Sequence, residues 1–479
     1  MTAIFRSNIT QFAGAIFLSV VFSACTPTLV SKKVNTSTPV SFNQSQDTVN
    51  TANVNWRQYF TDNNLIALID TALYNNQELN ITLQEIEIAR NEVRARKGEY
   101  LPFVGVGAAA GVDKVGRYTR NGALEANNEI EPGKEFPEPL GDLMVGAYAT
   151  WEVDIWRKLR NAKKSAYTRF LSTVEGKNFM VTHLIAEIAN SYYELLALDN
   201  QLDIVKQNIE IQSNALEIVK LQKESARVTE LAVRRFEAQV LKTKSLQFDI
   251  EQSIIETENR INFLVGRFPQ SIPRDANSFN NLVPESIQAG IPSQLLENRP
   301  DIKQAELDLM AAKLDIKVAK AHFYPSVGIS AGIGLQAFNA SHLIKSPESL
   351  LYSLVGDIAA PLINRNALKA MYYNANAKQI QAVFNYERSI LNGYIEVANQ
   401  LANIGNLRAS YDLKAEQVQA LTESTEIANT LFRSARADYM EVLLTQREAL
   451  ESRFDLVETK MRQMHAVVNI YQALGGGWR

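Results

Sequence analysis

Apolar positions along this chain change their spacing in the same way twice. From Asp62 to Glu99 they recur at three- and four-residue intervals. Leu65, Leu68, Ile69 and Leu73 form one stripe, continued by Leu79, Leu83, Ile86 and Val93. That period predicts one helix over 62–99, packed on another helix. After Pro102 the period falls to two, with Val104, Val106 and Val112 on one parity. A partner run at 143–153 places Leu143, Val145, Ala147, Ala149, Trp151 and Val153 on one side. Met144, Gly146, Tyr148, Thr150, Glu152 and Asp154 fall on the other. The second half repeats the hairpin. Val327, Ile329, Ala331, Ile333 and Leu335 alternate with Gly328, Ser330, Gly332, Gly334 and Gln336, and Tyr352, Leu354 and Ile358 mark the partner at 350–360. Strands of about ten residues with one apolar face fit a barrel wall in lipid. They also fit a soluble sheet packed on a core, and alternation alone does not separate the two.

Each hairpin is followed by a long proline-free helical run, 157–224 and then 367–434. At 1.5 Å per residue each helix would be about 100 Å long. Breaks at Ser225–Glu230 and Ser434–Asp438 let the chain turn back, and shorter helices then return to Leu264 and Leu474. The helices before each hairpin and after each turn together match one long helix in length. Strict heptads are not sustained, which disfavours a plain coiled coil.

The two halves are one module used twice. Lys97, Tyr100, Pro102, Val104 and Gly105 return as Lys320, Phe323, Pro325, Val327 and Gly328. Ser225-Ala226-Arg227 returns as Ser434-Ala435-Arg436. A recurring period of this kind sets the architecture. The first repeat is assigned to 56–266 with its hairpin at 101–154, the second to 295–479 with its hairpin at 325–361, and 267–294 links them. The fold class expected is α+β, mainly α, internally duplicated, with long antiparallel helices and four strands.

Composition narrows the function. A formal charge of −3 over 479 residues gives no reason to expect nucleic acid, and one cysteine excludes a disulfide framework. His183, His322, His342 and His465 are scattered and form no ligand pair. Gly105, Gly107 and Gly111 follow a helix rather than a strand, so they are not a dinucleotide loop. Neither an enzyme nor a cofactor is expected. Residues 1–24 read as a signal peptide: Arg6, an apolar core at 12–22, then Ser23-Ala24 before Cys25. That ending resembles a bacterial lipobox, making Cys25 a lipidation site, with a chance cysteine as the alternative. Residues 25–55 read as a tether rich in Ser, Thr, Asn and Pro.

Four strands cannot close a membrane barrel, and an open edge is not tolerated in hydrocarbon. If the strands lie in a membrane, several chains must pool them in a cyclic oligomer.

Asn298-Arg299-Pro300-Asp301-Ile302 with Ala305-Glu306 resembles a signature of the outer-membrane efflux factors, the TolC/OprM-like family. Trp151-Glu152-Val153-Asp154 and Pro361-Leu362 resemble its strand ends. Tyr439-Met440-Glu441-Val442-Leu443 with Arg447-Glu448-Ala449-Leu450 resembles its second periplasmic turn. The ending Ala473-Leu474-Gly475-Gly476-Gly477-Trp478 is similar to its NodT-like lipoprotein branch. The resemblance implies a homotrimer with a twelve-stranded outer-membrane β-barrel and a periplasmic α-barrel. Its partners would be a periplasmic adaptor and an inner-membrane RND pump, and its cargo drugs or other small molecules. It further implies adaptor docking at the helix turns, Ala226-Arg227 and Ala435-Arg436, where the family usually has glycine. The candidate periplasmic gate is Glu230, Asp438 and Glu441. Each would form a ring of three carboxylates, or each simply satisfies a helix N-terminus. At Ala232 the family often has aspartate. Two other readings stay open: a duct for protein secretion of type I character, and a periplasmic helical scaffold without a pore.

Overall fold

The computed structural model describes residues 26–42, 48–282, 287–361, 365–434 and 436–479. Cys25 and the signal segment before it, Ala435, and Leu362 of the second strand end lie outside the described residues. The chain forms two compact units. One contains Glu87–Leu171 and Leu307–Phe384 with the stretch up to Lys33; the other contains Val34–Ile86, Ser172–Glu306 and Asn385–Arg479.

In chain order the α-helices are α1 (Trp56–Tyr59), α2 (Asn63–Asn75), α3 (Gln77–Tyr100), α4 (Arg120–Asn127), α5 (Lys158–Glu224), α6 (Glu230–Val265), α7 (Leu295–Asn298), α8 (Pro300–Ala321), α9 (Ala340–Leu343), α10 (Asn366–Arg433) and α11 (Tyr439–Ala473). The strands are β1 (Phe103–Asp113), β2 (Glu129–Glu131), β3 (Lys134–Glu135), β4 (Leu140–Val153), β5 (Ser326–Ala337) and β6 (Leu350–Ala359). No described helix is long and apolar enough to cross a membrane.

The helix expected over 62–99 is two helices. Asn76 separates them, because its side chain is used twice. Its Oδ1 accepts from Leu79 N at 2.8 Å, capping α3, and its Nδ2 donates to the carbonyl of Leu264 at 2.8 Å. A capping side chain ends one helix and starts the next. The first hairpin also carries structure of its own between β1 and β4: α4 and the small β2–β3 ribbon.

The four long strands form one antiparallel sheet in the order β1-β4-β5-β6. The register aligns Val104 with Ala149, Val106 with Ala147 and Ala108 with Val145. Ala147 then meets Ile333, and Ile333 meets Tyr352. One face is therefore mainly Val, Ala, Leu, Ile, Tyr and Trp, and the other mixes Gly, Ser, Thr and charged residues with Phe103, Met144, Tyr148, Leu351 and Val355. The apolar face is bare: Val106 is 83% exposed, Leu354 77% and Ile358 75%. A soluble sheet buries that face on a core. Among the described residues nothing lies over this one, which fits the barrel wall and not the packed sheet. Glycines on the opposite face hold the strands close. A Cβ on Gly146 would lie 2.7 Å from the carbonyl oxygen of Ile333, and one on Gly334 would lie 2.6 Å from that of Val145.

In the other unit, the core gathers Leu65, Leu68 and Ile69 of α2 with Ile185, Ile188, Tyr192 and Leu196 of α5, Ile261 and Val265 of α6, and Val468 and Tyr471 of α11. Tyr471 stacks on Tyr59 with centroids 4.0 Å apart.

The two faces of β1 give the first prediction. Ala108→Arg points a charge into hydrocarbon and should cost about 2–4 kcal/mol of insertion free energy. Its neighbour Ala109→Arg faces the other way and should be tolerated. Outer-membrane fractionation of the two variants checks this, and equal losses would remove the assigned facing.

Candidate functional site at the helix turns

The first turn is built by hydrogen bonds that the helix cannot otherwise make. Arg227 N donates to Gln222 O at 2.8 Å and Ala226 N to Lys223 O at 2.8 Å. This pair closes the C-terminus of α5 and requires a left-handed residue between them. Ala226 supplies it, with φ 58°. That conformation suits glycine and costs an L-residue about 1–2 kcal/mol. The second turn repeats the longer bond, Arg436 N to Leu431 O at 2.9 Å. Both arginines thus sit at equivalent places, and their amides terminate α5 and α10.

Under the turns, four helices share an apolar cluster of Leu216, Val219, Ala232, Val233, Phe236, Val240, Ala428 and Val442. Ala232 is fully buried there. An aspartate at this position would be a carboxylate in an apolar contact, which explains the alanine. The side chain at position 232 therefore faces the helix cluster.

The candidate gate acids differ in surroundings. Glu230 is the first residue of α6 and is paired with Lys223 across the turn and with Arg234 at 2.8 Å. The Lys223 ammonium, with Arg234 beside it, holds the Glu230 carboxyl below the usual carboxylate range. Asp438 precedes α11 as its N-cap, but its side chain makes no capping hydrogen bond. Instead it lines a cavity of about 320 Å³ between the turns, together with Arg227, Val228 and Thr229 from one turn and Phe432, Arg433 and Tyr439 from the other. Glu441 lies in the first turn of α11, where its carbonyl accepts from Thr445 Oγ1 at 2.8 Å. The fold thus brings Arg227 and Asp438 to one cavity and commits Glu230 to local ion pairs.

Arg299, Pro300 and Asp301 lie elsewhere. Pro300 opens α8, where its missing N–H costs nothing. Arg299 is buried, and its guanidinium meets both oxygens of Asp301 at 3.0 and 2.8 Å. The same group reaches Glu396 of α10 at 2.6 Å and the carbonyl of Ala473 at 2.8 Å. One side chain ties the start of α8 to α10 and to the end of α11. Trp478 Nε1 donates to the carbonyl of Asn298 at 3.1 Å, and Arg479 Nη2 to Asn298 Oδ1 at 2.9 Å, locking the same corner. The motif was legible in sequence, but the three partners of Arg299 were not. Among the described residues no group of three His, Cys, Asp or Glu is placed to hold a metal ion.

A family model described as outer membrane efflux protein matches residues 68–267 and 291–476. The cation efflux system protein CusC of Escherichia coli O6:H1 is 27% identical over 446 residues, covering 92% of this chain and 93% of that protein. The probable outer membrane lipoprotein SilC of Salmonella typhimurium is 24% identical over 476 residues, covering 98% of each. The open state of the Neisseria gonorrhoeae MtrE outer membrane channel superposes with a TM-score of 0.81 at 22% identity, covering 95% of this chain and 99% of that one.

The strained turn gives the second prediction. Ala226→Gly relieves the left-handed alanine and should stabilise the turn by up to about 1 kcal/mol. Hydrogen exchange at the amides of Ala226 and Arg227 should slow by about fivefold, while Ala226→Val should speed it. Unchanged exchange in both variants would show that the conformation carries no strain.

Proposed function

The chain belongs to the outer membrane efflux protein family, and from that premise we propose that it is the exit duct of a tripartite RND-type efflux system. The observation that carries this reading is the four-stranded sheet with a bare apolar face and two open edges. In the order β1-β4-β5-β6 the two edge strands run in opposite senses. β6 of one chain therefore continues antiparallel into β1 of the next. Hydrocarbon offers no water to satisfy edge amides, so closure is compulsory. Three chains pool twelve strands, and their helices form the periplasmic conduit. The cargo is drugs or other small molecules; the related CusC is a cation efflux protein by name.

We further propose that the two turns dock the periplasmic adaptor. Arg227 and Arg436 recur at equivalent positions, so a trimer presents six guanidiniums at its periplasmic end. Planar forks suit carboxylate and carbonyl groups on adaptor hairpins. Asp438 and Glu441 are the gate acids that this reading retains, as rings of three. Glu230 acts within the turn, through Lys223 and Arg234.

Cys25 is proposed as the lipid anchor. Leu29 packs against Ala319, Phe323 and Tyr372 at the foot of β5. It lies four residue steps from Cys25, a reach of at most about 14 Å. The related SilC is called a probable outer membrane lipoprotein.

Three measurements test these proposals. Detergent-corrected light scattering should give three times the 53.6 kDa calculated for the chain, less any cleaved leader, and a stable monomer would end the barrel reading. Arg436→Glu should abolish drug export and in-cell adaptor cross-linking while sparing trimer formation, with Arg436→Ala milder. Wild-type cross-linking by the Arg227→Glu, Arg436→Glu double variant would exclude docking through these arginines. Cys25→Ser should lose fatty-acid label, and retained label would rule out the lipobox.

A further inference from the structure

We propose that a basic, aromatic-walled groove beside the foot of the sheet binds the headgroup of an anionic phospholipid. The groove has a volume of about 720 Å³ and is lined by Val93 and Tyr100 of α3 and by Arg160, Lys163, Lys164 and Tyr167 of α5. It rests on the reading of the apolar sheet face as the membrane wall.

The placement comes from helix geometry. Positions 160, 163, 164 and 167 fall on one stripe of α5, spanning about 10 Å. Positions 93 and 100 fall on one stripe of α3. The groove between them therefore has cations on one wall and aromatic and aliphatic surface on both. Trp151 lies near the end of the apolar face of β4, and its Nε1 donates to the carbonyl of Tyr100 at 3.1 Å. Tyr100 is thus held at the lower rim of that face, and the Arg160 guanidinium stacks over its ring at 5.1 Å. Trp156 and Tyr324 stack at 4.8 Å at the same end of the sheet. Aromatic side chains at this level mark the boundary between hydrocarbon and headgroups. The three cations lie just past that boundary, at phosphate depth.

The charge is available for a ligand. Asp154, beside Arg160, already accepts at its two oxygens from Leu159 N at 3.1 Å and Arg160 N at 2.9 Å. It also faces Arg160 at 3.6 Å. Because Asp154 caps α5, the pull on an anion comes from side chains and not from the open helix end. On α3, Glu92 and Glu99 are both taken by Arg96, at 2.9 and 3.0 Å. Lys158 pairs with Glu152 and does not line the groove. Lys163 and Lys164 have no ion-pair partner among the described residues. A phosphodiester between Arg160 and the two lysines would be met by three donors. Its acyl chains would rise along the bare apolar face, with the glycerol at the level of Tyr100. The membrane at this depth and charge complementarity together favour a lipid over a soluble anion.

The test uses the full chain in a neutral detergent. Native mass spectrometry and thermal unfolding are followed while dioleoyl-phosphatidylglycerol, dioleoyl-phosphatidylcholine or inorganic phosphate is added. Phosphatidylglycerol should bind and raise the melting temperature; phosphatidylcholine and phosphate should do neither. The triple variant Arg160→Gln, Lys163→Gln, Lys164→Gln should bind phosphatidylglycerol at least about tenfold more weakly. A control with the same charge loss, Lys206→Gln, Lys242→Gln, Lys244→Gln, should bind as wild type. The double variant Lys163→Gln, Lys164→Gln decides the matter if the triple variant fails to fold. Equal binding of both lipids, stabilisation by phosphate alone, or wild-type binding by both groove variants would overturn the proposal. The same spectra report the oligomer mass, so failure of the duct reading appears separately as a lost trimer.

Discussion

The structure depends on one constraint: a backbone in hydrocarbon has to satisfy its own hydrogen bonds. Within the chain, β4 and β5 are paired on both sides, while β1 and β6 are each paired on one. The remaining amides and carbonyls of eleven and ten residues face outward. Each unsatisfied group would cost several kcal/mol in lipid. No rearrangement within one chain removes both edges, because four strands are too few to curl into a cylinder. Association is therefore a condition of the membrane-embedded fold itself.

Against that requirement, the helices solve a different problem. Sixty-seven residues of α5 and sixty-eight of α10 cannot draw stability from one continuous apolar stripe. They are fastened instead at intervals: by the apolar cluster under the turns, by the core around Tyr192, and by the Arg299 corner. Between these points polar residues are buried in pairs, as where Thr243 donates to Gln212 Oε1 at 2.8 Å. The turns complete the pattern by satisfying the last carbonyls of each long helix.

Much of this was legible in the residues. The strand faces followed from parity, because a period of two leaves only one way to put Val104, Val106 and Val112 together. The long helices match the sequence reading nearly to the residue, since each run lacks proline and the breaks at 225–230 and 434–438 are strong punctuation. Three features were not legible. The break at Asn76 depends on Leu264, 188 positions away. The burial of Ala232 depends on helices from both repeats. The elements inside the first hairpin, α4 and β2–β3, are short and carry weak periodicity. In each case the deciding contact is remote in sequence, or the segment is too brief for a period to show.

The corner at Asn298 has a consequence for how the chain is made. Its carbonyl is paired with Trp478, 180 positions later, and its carboxamide with Arg479. Gly475, at φ 89°, lies so close that a Cβ there would meet the Asn298 carbonyl at 2.6 Å. Arg299 waits on the carbonyl of Ala473 in the same way. A polypeptide exported N-terminus first therefore presents the start of its second repeat long before the residues that close it exist on the same side of the membrane. During that interval the guanidinium of Arg299 has Asp301 but lacks its Ala473 partner, and α8 has no fixed neighbour at its opening turn. The second repeat is completed by residues 473–479, so the corner works as a clasp that fastens only after export has passed it.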